Sequence, residues 1–418
     1  MAVSLAAQYP ALEALGDAWS RAGALRLLNV EVLPHARPGR RATEVSVDDV
    51  SHIPGRACTV HYLVGLDGGA PRERITATFA KDDRLARVFA EHYGNRRLRQ
   101  PVVLVARRRC LVEFFGMDWQ LPALARATDL AAMASELDAL GCGAPVEVDV
   151  LRYRPHQRCV LRYRGRGRTV IGKVYRRPED AQRVWRETRA LQGVLLAKPL
   201  ALVDGSLLLV EHLEGRSWLD ALLAAQGTEE WLRAAAEVCA RLHGAASGSG
   251  DPHTLASELA QLRRRIERMA PAAPELAAEA SAVLDRLVIA EPPQLTLVHG
   301  DFKPDQLVVT RGGLAVLDFD RVGPGDPAVD LGNFIAQLHR EALVGGRESL
   351  RALADTFLAE YERITGDAGA GERANSFRAL ALVRMAVRRF VHFPHLYARG
   401  ATGSSPAPLL AEARACLG

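Results

Sequence analysis

Residues 295–330 read LTLVHGDFKPDQLVVTRGGLAVLDFDRVGPGDPAVD, with short apolar runs separated by polar loops. The first apolar run predicts a strand that leads into a polar loop containing Asp301 and ending at Gln306. A glycine turn at 312–313 then predicts a hairpin whose second strand leads to Asp318. We therefore expect three polar side chains to meet at one end of a small sheet.

These residue types suit phosphoryl transfer. The loose transition state of that reaction mainly requires in-line positioning and neutralisation of the phosphate oxygens. The carboxylate of Asp318 and the amide oxygen of Gln306 are hard ligands of the kind that Mg²⁺ binds together with nucleotide phosphates. Asp301 could orient an acceptor hydroxyl and accept its proton. The simpler interpretation, that the three side chains only satisfy backbone donors in turns, is less favoured because motif, spacing and strand context agree.

The motif HGDFKPDQ at 299–306, followed by LDFD at 317–320, resembles the catalytic loop and metal motif of the aminoglycoside phosphotransferase and choline kinase-like superfamily. It is also similar to the HRDLKPEN and DFG motifs of protein kinases. The resemblance covers residues 146 to about 340. It implies a bilobal, protein kinase-like α+β fold with a small antiparallel-sheet N-lobe and a mainly helical C-lobe, using ATP and Mg²⁺.

The same resemblance assigns roles to single residues. It implies Asp301 as the catalytic base and Lys303 near the γ-phosphate. It implies Gln306 and Asp318 as metal ligands, with Asp320 as a supporting carboxylate. Most members of the superfamily have Asn where this chain has Gln306, but maltokinase-like members also have Gln, so loss of metal binding does not follow.

Upstream of the motif, the sequence predicts a strand hairpin, a helix and a second hairpin, which together form a small sheet. Lys173 falls on a strand and Glu187 on the following helix. This matches the kinase arrangement in which a strand lysine binds nucleotide phosphates and a helix glutamate steadies it. Without the downstream motif, both would be read as solvated surface charges. The resemblance also implies an adenine-binding hinge at Glu211, His212 and Leu213.

The region 47–115 repeats the pattern of 146–213. The clearest matches pair Pro54, Cys58 and Tyr62 with Pro155, Cys159 and Tyr163. In this alignment the first copy has Ala77 where the second has Lys173. We therefore expect a degenerate second N-lobe that is not catalytic and packs beside the working lobe as a cap or spacer.

The chain is expected to fold as three units. Residues 1–142 form the degenerate lobe with a connecting helical stretch at 121–140, residues 143–213 form the ATP-binding N-lobe, and residues 214–418 form a helical C-lobe with the acceptor site. Only nine residues separate Asp320 from Asp330, which leaves no room for the activation segment of a protein kinase. The predicted acceptor is therefore a small hydroxylated molecule, and Asp326 and Asp330 are expected to fix the loop.

The acceptor is the least determined part of the prediction. A helix predicted at 379–397 carries Arg384 and Arg388 on one face. These arginines could meet an anionic or sugar-like acceptor, or form a solvated or internally paired face. An aminoglycoside would favour acidic walls, so a sugar, amino sugar or related metabolite is the preferred acceptor. The alternative function is a catalytically weak pseudokinase that acts as a nucleotide-binding regulatory module.

Composition excludes several other classes. The 418 residues are 48% hydrophobic and 25% charged, with a net charge of +5 and six cysteines that form no C-x-x-C pair. No apolar run is long enough to cross a membrane, and no export signal is evident, so we expect a cytoplasmic protein without a membrane partner. The arginine-rich segment 152–189 has no aromatic stacking platform beyond Tyr153, Tyr163 and Tyr175, which a strand would also bury, so nucleic acid is not expected as a partner. The oligomeric state is not predicted.

Overall fold

A computed structural model gives the structure of the chain. It describes residues 18–53, 56–69, 71–94, 96–224, 228–246, 248–271, 273–288, 294–392 and 406–418.

Two five-stranded antiparallel sheets form the N-terminal half. The strands of the first are β1 (Ala42–Ile53), β2 (Ala57–Leu66), β3 (Glu73–Ala80), β4 (Val102–Val105) and β5 (Cys110–Phe114). The strands of the second are β6 (Glu147–Arg154), β7 (Arg158–Arg164), β8 (Val170–Tyr175), β9 (Pro199–Val203) and β10 (Leu207–Glu211). The strand orders are β1-β2-β3-β5-β4 and β6-β7-β8-β10-β9, so the two sheets have the same topology.

In each sheet, a helix follows the third strand along the chain. The helices of the first half are α1 (Arg21–Arg26), continued by a π-helical turn (Leu27–Val32) into α2 (Leu33–Ala36), then α3 (Arg84–His92), α4 (Leu124–Ala127), α5 (Ala134–Ala139) and α6 (Pro178–Ala190). Helix α3 follows β3 and α6 follows β8. Leu85 of α3 packs with Leu111, and Val184 of α6 packs with Leu208, so both helices cover the same face of their sheet. That the first sheet is a degenerate N-lobe stays a prediction, but its topology is the expected one.

The strand register corrects one detail of the predicted repeat. Lys173 lies opposite Val160 and Leu208, and in the first sheet the matching residue, opposite Thr59 and Leu111, is Thr78. The prediction that Ala77 takes the lysine position is therefore wrong by one residue. Because side chains alternate along a strand, Ala77 points to the other face, where it is fully buried in the core of the first sheet.

The connection between the sheets is not one helix, as predicted for 121–140, but the two short helices α4 and α5 joined by turns. It packs against the second sheet, because Leu124, Met133 and Leu137 share a buried cluster with Leu161 and Leu209. Residues 121–142 therefore cover one face of the second sheet.

The C-terminal half is mainly helical. Its helices are α7 (Trp218–Leu223), α8 (Thr228–His243), α9 (Leu255–Met269), α10 (Pro274–Leu284), α11 (Ala328–Gly345), α12 (Ser349–Thr365), α13 (Ala370–His392) and α14 (Ala407–Ala415). Its strands are β11 (Arg216–Ser217), β12 (Thr296–Val298), β13 (Leu307–Thr310), β14 (Gly313–Val316) and β15 (Gly323–Gly325). In the described ranges no helix is both long and apolar enough to span a lipid bilayer. The α+β, bilobal prediction is confirmed.

Candidate active site

The loop that follows β12 is fixed by one buried carboxylate. Asp330, in the first turn of α11, accepts hydrogen bonds from the backbone amides of His299 (2.6 Å) and Gly300 (2.9 Å). It also bonds His243 Nε2 at 3.2 Å. Burial opposes ionisation of Asp330, but these donors lower its pKa below the usual range. The expectation that Asp330 fixes the loop agrees with these contacts, since it satisfies amide groups that would otherwise be buried without partners.

The fixed loop presents Asp301 and Lys303. Lys303 Nζ donates to Asp301 Oδ2 at 2.8 Å, and Asp305 lies 3.9 Å from the same amine. The Asp301 side chain is 33% exposed, so a small molecule could reach it. Gln306 ends a 3₁₀ turn (Pro304–Gln306) and leads directly into β13.

Asp318 and Asp320 form the centre of the site. Lys173 Nζ donates to Asp318 Oδ1 at 2.7 Å and to Asp320 Oδ1 at 2.6 Å. Arg158 Nη1 donates to Asp318 Oδ1 at 2.8 Å and also bonds Asp320. The Tyr175 hydroxyl donates to Asp320 Oδ1 at 2.6 Å. Two carboxylates are thus matched by two cations from the N-lobe sheet.

The pairing controls the protonation of this cluster. Burial opposes the charge on Asp318, but Lys173 and Arg158 outweigh it and hold the pKa of that carboxyl well below its usual range. Burial lowers the pKa of Lys173, and the Asp318 carboxylate only partly offsets this effect. Asp318 is therefore ionised and available to a cation at neutral pH.

The donor set fits a magnesium ion. Carboxylate oxygens of Asp318 and Asp320 and the amide oxygen of Gln306 are hard oxygen ligands, and the two carboxylates already attract cationic groups. Lys173 and Arg158 donate to oxygens of both carboxylates, so a metal ion would share these ligands with the two cations.

A cleft of about 380 Å³ lies beside this cluster, between the second sheet and the C-lobe. Lys173, Gln306 and Asp318 line it, so the structure brings Lys173 together with two residues of the motif that lies far downstream in the sequence. The predicted hinge also lines it. Its apolar walls come from Val160, Ile171, Ala197, Leu208, Val210, Val316 and Phe319. An apolar slot with polar groups at one end can accept a purine ring and its phosphates.

Glu187 is not brought to this cleft. Its Oε1 accepts from the backbone amide (3.0 Å) and the hydroxyl (2.9 Å) of Ser249, and the carboxylate partners of Lys173 are Asp318 and Asp320. The expectation that Glu187 pairs with Lys173 is therefore wrong for this structure. The glutamate instead ties α6 to the loop before α9.

Two residues of the cluster were missed by the sequence analysis, Arg158 and Tyr175. The signal that could have found them is the period-two alternation of strands. Tyr175 is two residues beyond Lys173, and Arg158 lies opposite Tyr175 in the register, so all three share one face.

The predicted acceptor helix is α13. Arg384 Nη2 donates to Glu258 Oε2 at 2.7 Å, and Glu258 also binds Arg321 and His253. Arg384 is therefore internally paired, which was one of the two alternatives. Arg388 is exposed and has no ion-pair partner in the described part of the chain. His395, on the predicted extension of this helix, lies outside the described residues.

Fold and site together define a phosphotransferase of the protein kinase-like class. The family model described as "Phosphotransferase enzyme family" (APH) matches residues 156–373, which is more than half of the chain. The chain belongs to this family, and it is an enzyme that phosphorylates hydroxyl groups of small molecules. Phosphotransferases of the family use ATP and a divalent metal.

Solved structures show the same fold. A candidate aminoglycoside phosphotransferase from Ralstonia eutropha is 20% identical, with a TM-score of 0.51 over 69% of this chain and 96% of its own. A choline kinase from Cryptosporidium parvum is 9% identical, with a TM-score of 0.50 over 69% of this chain and 95% of its own. None of the curated proteins matches the sequence.

Proposed function

We propose that this protein transfers the γ-phosphoryl group of ATP to a hydroxyl of a sugar, amino sugar or related small molecule, in a Mg²⁺-dependent reaction with Asp301 as the base. The observation that carries the proposal is the single cleft lined by Lys173, Gln306, Asp318 and the predicted hinge.

Different parts of the cleft would bind the purine, the phosphates and the metal ion. The apolar walls and the backbone of 211–213 accept the purine, while Lys173 and Arg158 at the polar end bind phosphate oxygens. Asp318, Asp320 and Gln306 would bind Mg²⁺, which neutralises charge on the transferred group. Lys303, which donates to Asp301, would neutralise charge on the γ-phosphate.

Asp301 acts on the acceptor. It orients the acceptor hydroxyl for in-line attack and accepts its proton as the new oxygen–phosphorus bond forms. The carboxylate is partly exposed and lies in a loop held by Asp330, so it can contact a bound molecule without rearrangement of the backbone.

The acceptor class follows from the charges near this loop. Arg384 and Arg321 pair with the buried Glu258, so among the described residues this carboxylate is not free to form the acidic wall that a polycationic aminoglycoside would need. A neutral or weakly charged hydroxylated molecule fits better. The absence of a Lys173–Glu187 pair keeps the pseudokinase alternative open to experiment, although family membership favours turnover.

The test is ADP formation with Mg²⁺ and a panel of sugars, amino sugars, cholines and nucleosides. Asp301→Asn should lower turnover by about 10² to 10⁴-fold because it removes proton acceptance. Asp318→Asn should lower it at least as much because a metal ligand is lost.

Asp305→Asn is the matched control for the first substitution. Asp305 is a carboxylate of the same loop, but it lies 3.9 Å from the Lys303 amine, whereas Asp301 accepts a hydrogen bond from that amine at 2.8 Å. Turnover of this variant should stay within about twofold of the unmodified enzyme. Nucleotide binding without turnover of any panel member, unchanged by Asp301→Asn, would favour the pseudokinase.

A further inference from the structure

The turn between β6 and β7 has an unusual backbone. His156, at its tip, has a φ of 63°, in the left-handed region that side chains other than glycine rarely adopt. Residues 154–158 read RPHQR and include no glycine to relieve this strain. Such a conformation persists only where surrounding contacts enforce it.

Asp118 supplies those contacts. Its Oδ2 accepts from the backbone amide of His156 at 2.8 Å, and its Oδ1 lies 2.9 Å from His156 Nδ1. The Tyr153 hydroxyl donates to the same carboxylate at 2.9 Å. Asp118 and His156 are both buried. The carboxylate therefore binds both the backbone and the side chain of the strained residue.

The side chain at the tip of the turn packs against one face of the first sheet. His156 Nε2 lies 2.9 Å from Thr78 Oγ1 and 3.6 Å from Glu113 Oε2, and its ring packs at 5.7 Å from that of Trp119. Thr78 is the residue that corresponds to Lys173 in the register. The face of the first sheet that matches the nucleotide face of the second is thus filled by the turn of the second.

The residue that follows the turn contacts the two carboxylates at the centre of the site. Arg158, two residues after His156, is the residue that donates to Asp318 and Asp320. Only Gln157 separates the fixed tip from this arginine, so the placement of the guanidinium depends on the placement of the turn. In protein kinases the equivalent region is a glycine-rich loop that covers the phosphates.

We propose that the N-terminal lobe is a working part of the nucleotide site. Asp118 and Thr78 of that lobe hold His156, and His156 as a positioning residue holds Arg158 where it can contact nucleotide phosphates. This inference rests on the proposed function, because it assigns the cleft to a nucleotide.

The experiment is a double-mutant cycle on nucleotide affinity in the full-length chain. The dissociation constant of AMP-PNP with MgCl₂ is measured by calorimetry for the unmodified protein, His156→Ala, Arg158→Gln and the double variant. Each single substitution should weaken binding by about tenfold, the worth of one charge-assisted hydrogen bond. The double variant should bind within about twofold of Arg158→Gln, because His156 acts through Arg158.

Two conservative variants separate a local effect on nucleotide affinity from a loss of folding. Thr78→Val keeps the shape of the side chain and removes only the hydroxyl beside His156, so it should weaken binding by about threefold. His156→Asn tolerates the left-handed backbone and should lose less affinity than His156→Ala. His61→Gln is the control for loss of stability, since His61 is buried in the same sheet and bonds Thr76. Its ring packs on Tyr153, but no hydrogen bond among the described residues joins it to Asp118, His156 or Arg158.

The outcomes are distinct. Additive losses in the cycle, or an unchanged affinity of His156→Ala, would overturn the inference while leaving the proposed function intact. Loss of affinity in His61→Gln equal to that in His156→Ala would also overturn it, because the effect would then be one of stability alone. Failure of the unmodified protein to bind AMP-PNP would contradict the proposed function itself.

Discussion

His156 and Glu113 form a buried pair of titratable groups whose charges depend on each other. Burial lowers the pKa of His156, but the carboxylates of Asp118 and Glu113 outweigh it and raise the pKa to about 9. Burial raises the pKa of Glu113 to about 7. Both groups therefore bind protons more tightly in the folded state than in the unfolded state.

This pair predicts how stability changes with pH. Because the pKa of His156 is raised above its unfolded value of about 6.5, its contribution is complete below that pH and is lost as the pH rises through about 9. The loss should be on the order of 3 kcal/mol in the free energy of unfolding. Denaturant titrations at pH 6.5 and 9 measure it.

The variant His156→Gln should show a smaller fall in stability over this interval. The matched control is His61→Gln, because burial lowers the pKa of His61 to about 3 and that ring is neutral at both pH values. Parallel pH dependence of the unmodified protein and His156→Gln would contradict the prediction.

At the residue scale, the sequence predicted the site residues that belong to the loop motif. It missed other site residues, which the second sheet contributes. Gln306 and Asp318 were placed in the cleft by motif and spacing alone, and Lys173 by strand context. Arg158 and His156 could not be assigned, because their roles depend on contacts with Asp318 and Asp118, which are 160 and 38 residues away in the chain.

At the scale of elements, helices α11 and α13 pack with almost no space between their backbones. A Cβ atom on Gly332 would lie 2.5 Å from Phe377 Cβ and 2.7 Å from the backbone nitrogen of Arg378. Gly332→Ala should therefore push the helices apart and lower the free energy of unfolding by about 1–3 kcal/mol. Turnover should fall as well, because Asp330 lies two residues earlier in α11.

Gly345→Ala on the same helix is the control. The nearest atom to a Cβ there is in the flexible side chain of Arg347, at 3.7 Å. Alanine should be neutral or stabilise this position by less than about 1 kcal/mol, since it favours the helix more than glycine does. Thermal unfolding separates the two variants, and equal melting temperatures would contradict the packing argument.

The strands and helices were largely predictable from the sequence. The residue-by-residue correspondence between the two sheets was not. Alternation of apolar residues and turn signals predicted the strands and helix of both sheets. Matching Ala77 with Lys173 misplaced the third strand of the first sheet by one residue, because only pairing with β2 and β5 fixes which side chain faces the helix. The stretch 128–133 that separates α4 from α5 contains neither glycine nor proline, so the sequence gives no strong helix-breaking signal there.

At the scale of the whole molecule, the two lobes share structure at their boundary. Residues 121–142 were assigned to the first unit, yet they bury the outer face of the second sheet, including Leu161, Tyr163 and Leu209. Backbone bonds from Gly167 to Cys142 and from Arg168 to Gly141 join the same segment to the turn after β7.

A chain of residues 143–418 should therefore be insoluble when expressed, because it exposes this apolar face. A chain of residues 117–418 keeps the cover and should fold, with weaker affinity for AMP-PNP because the first sheet is absent. Soluble yield and circular dichroism measure the first expectation, and calorimetry the second. A folded, soluble 143–418 fragment with the melting temperature of the longer one would show that the cover is dispensable.

The shared boundary has a consequence for protein engineering and for the way such chains diversify. A recombination crossover chosen by fold similarity would fall near residue 143 and divide one core between two parents. Exchange of the C-terminal part between related enzymes should succeed only when the crossover lies before Leu121. The second sheet then stays together with residues 121–142, which cover it.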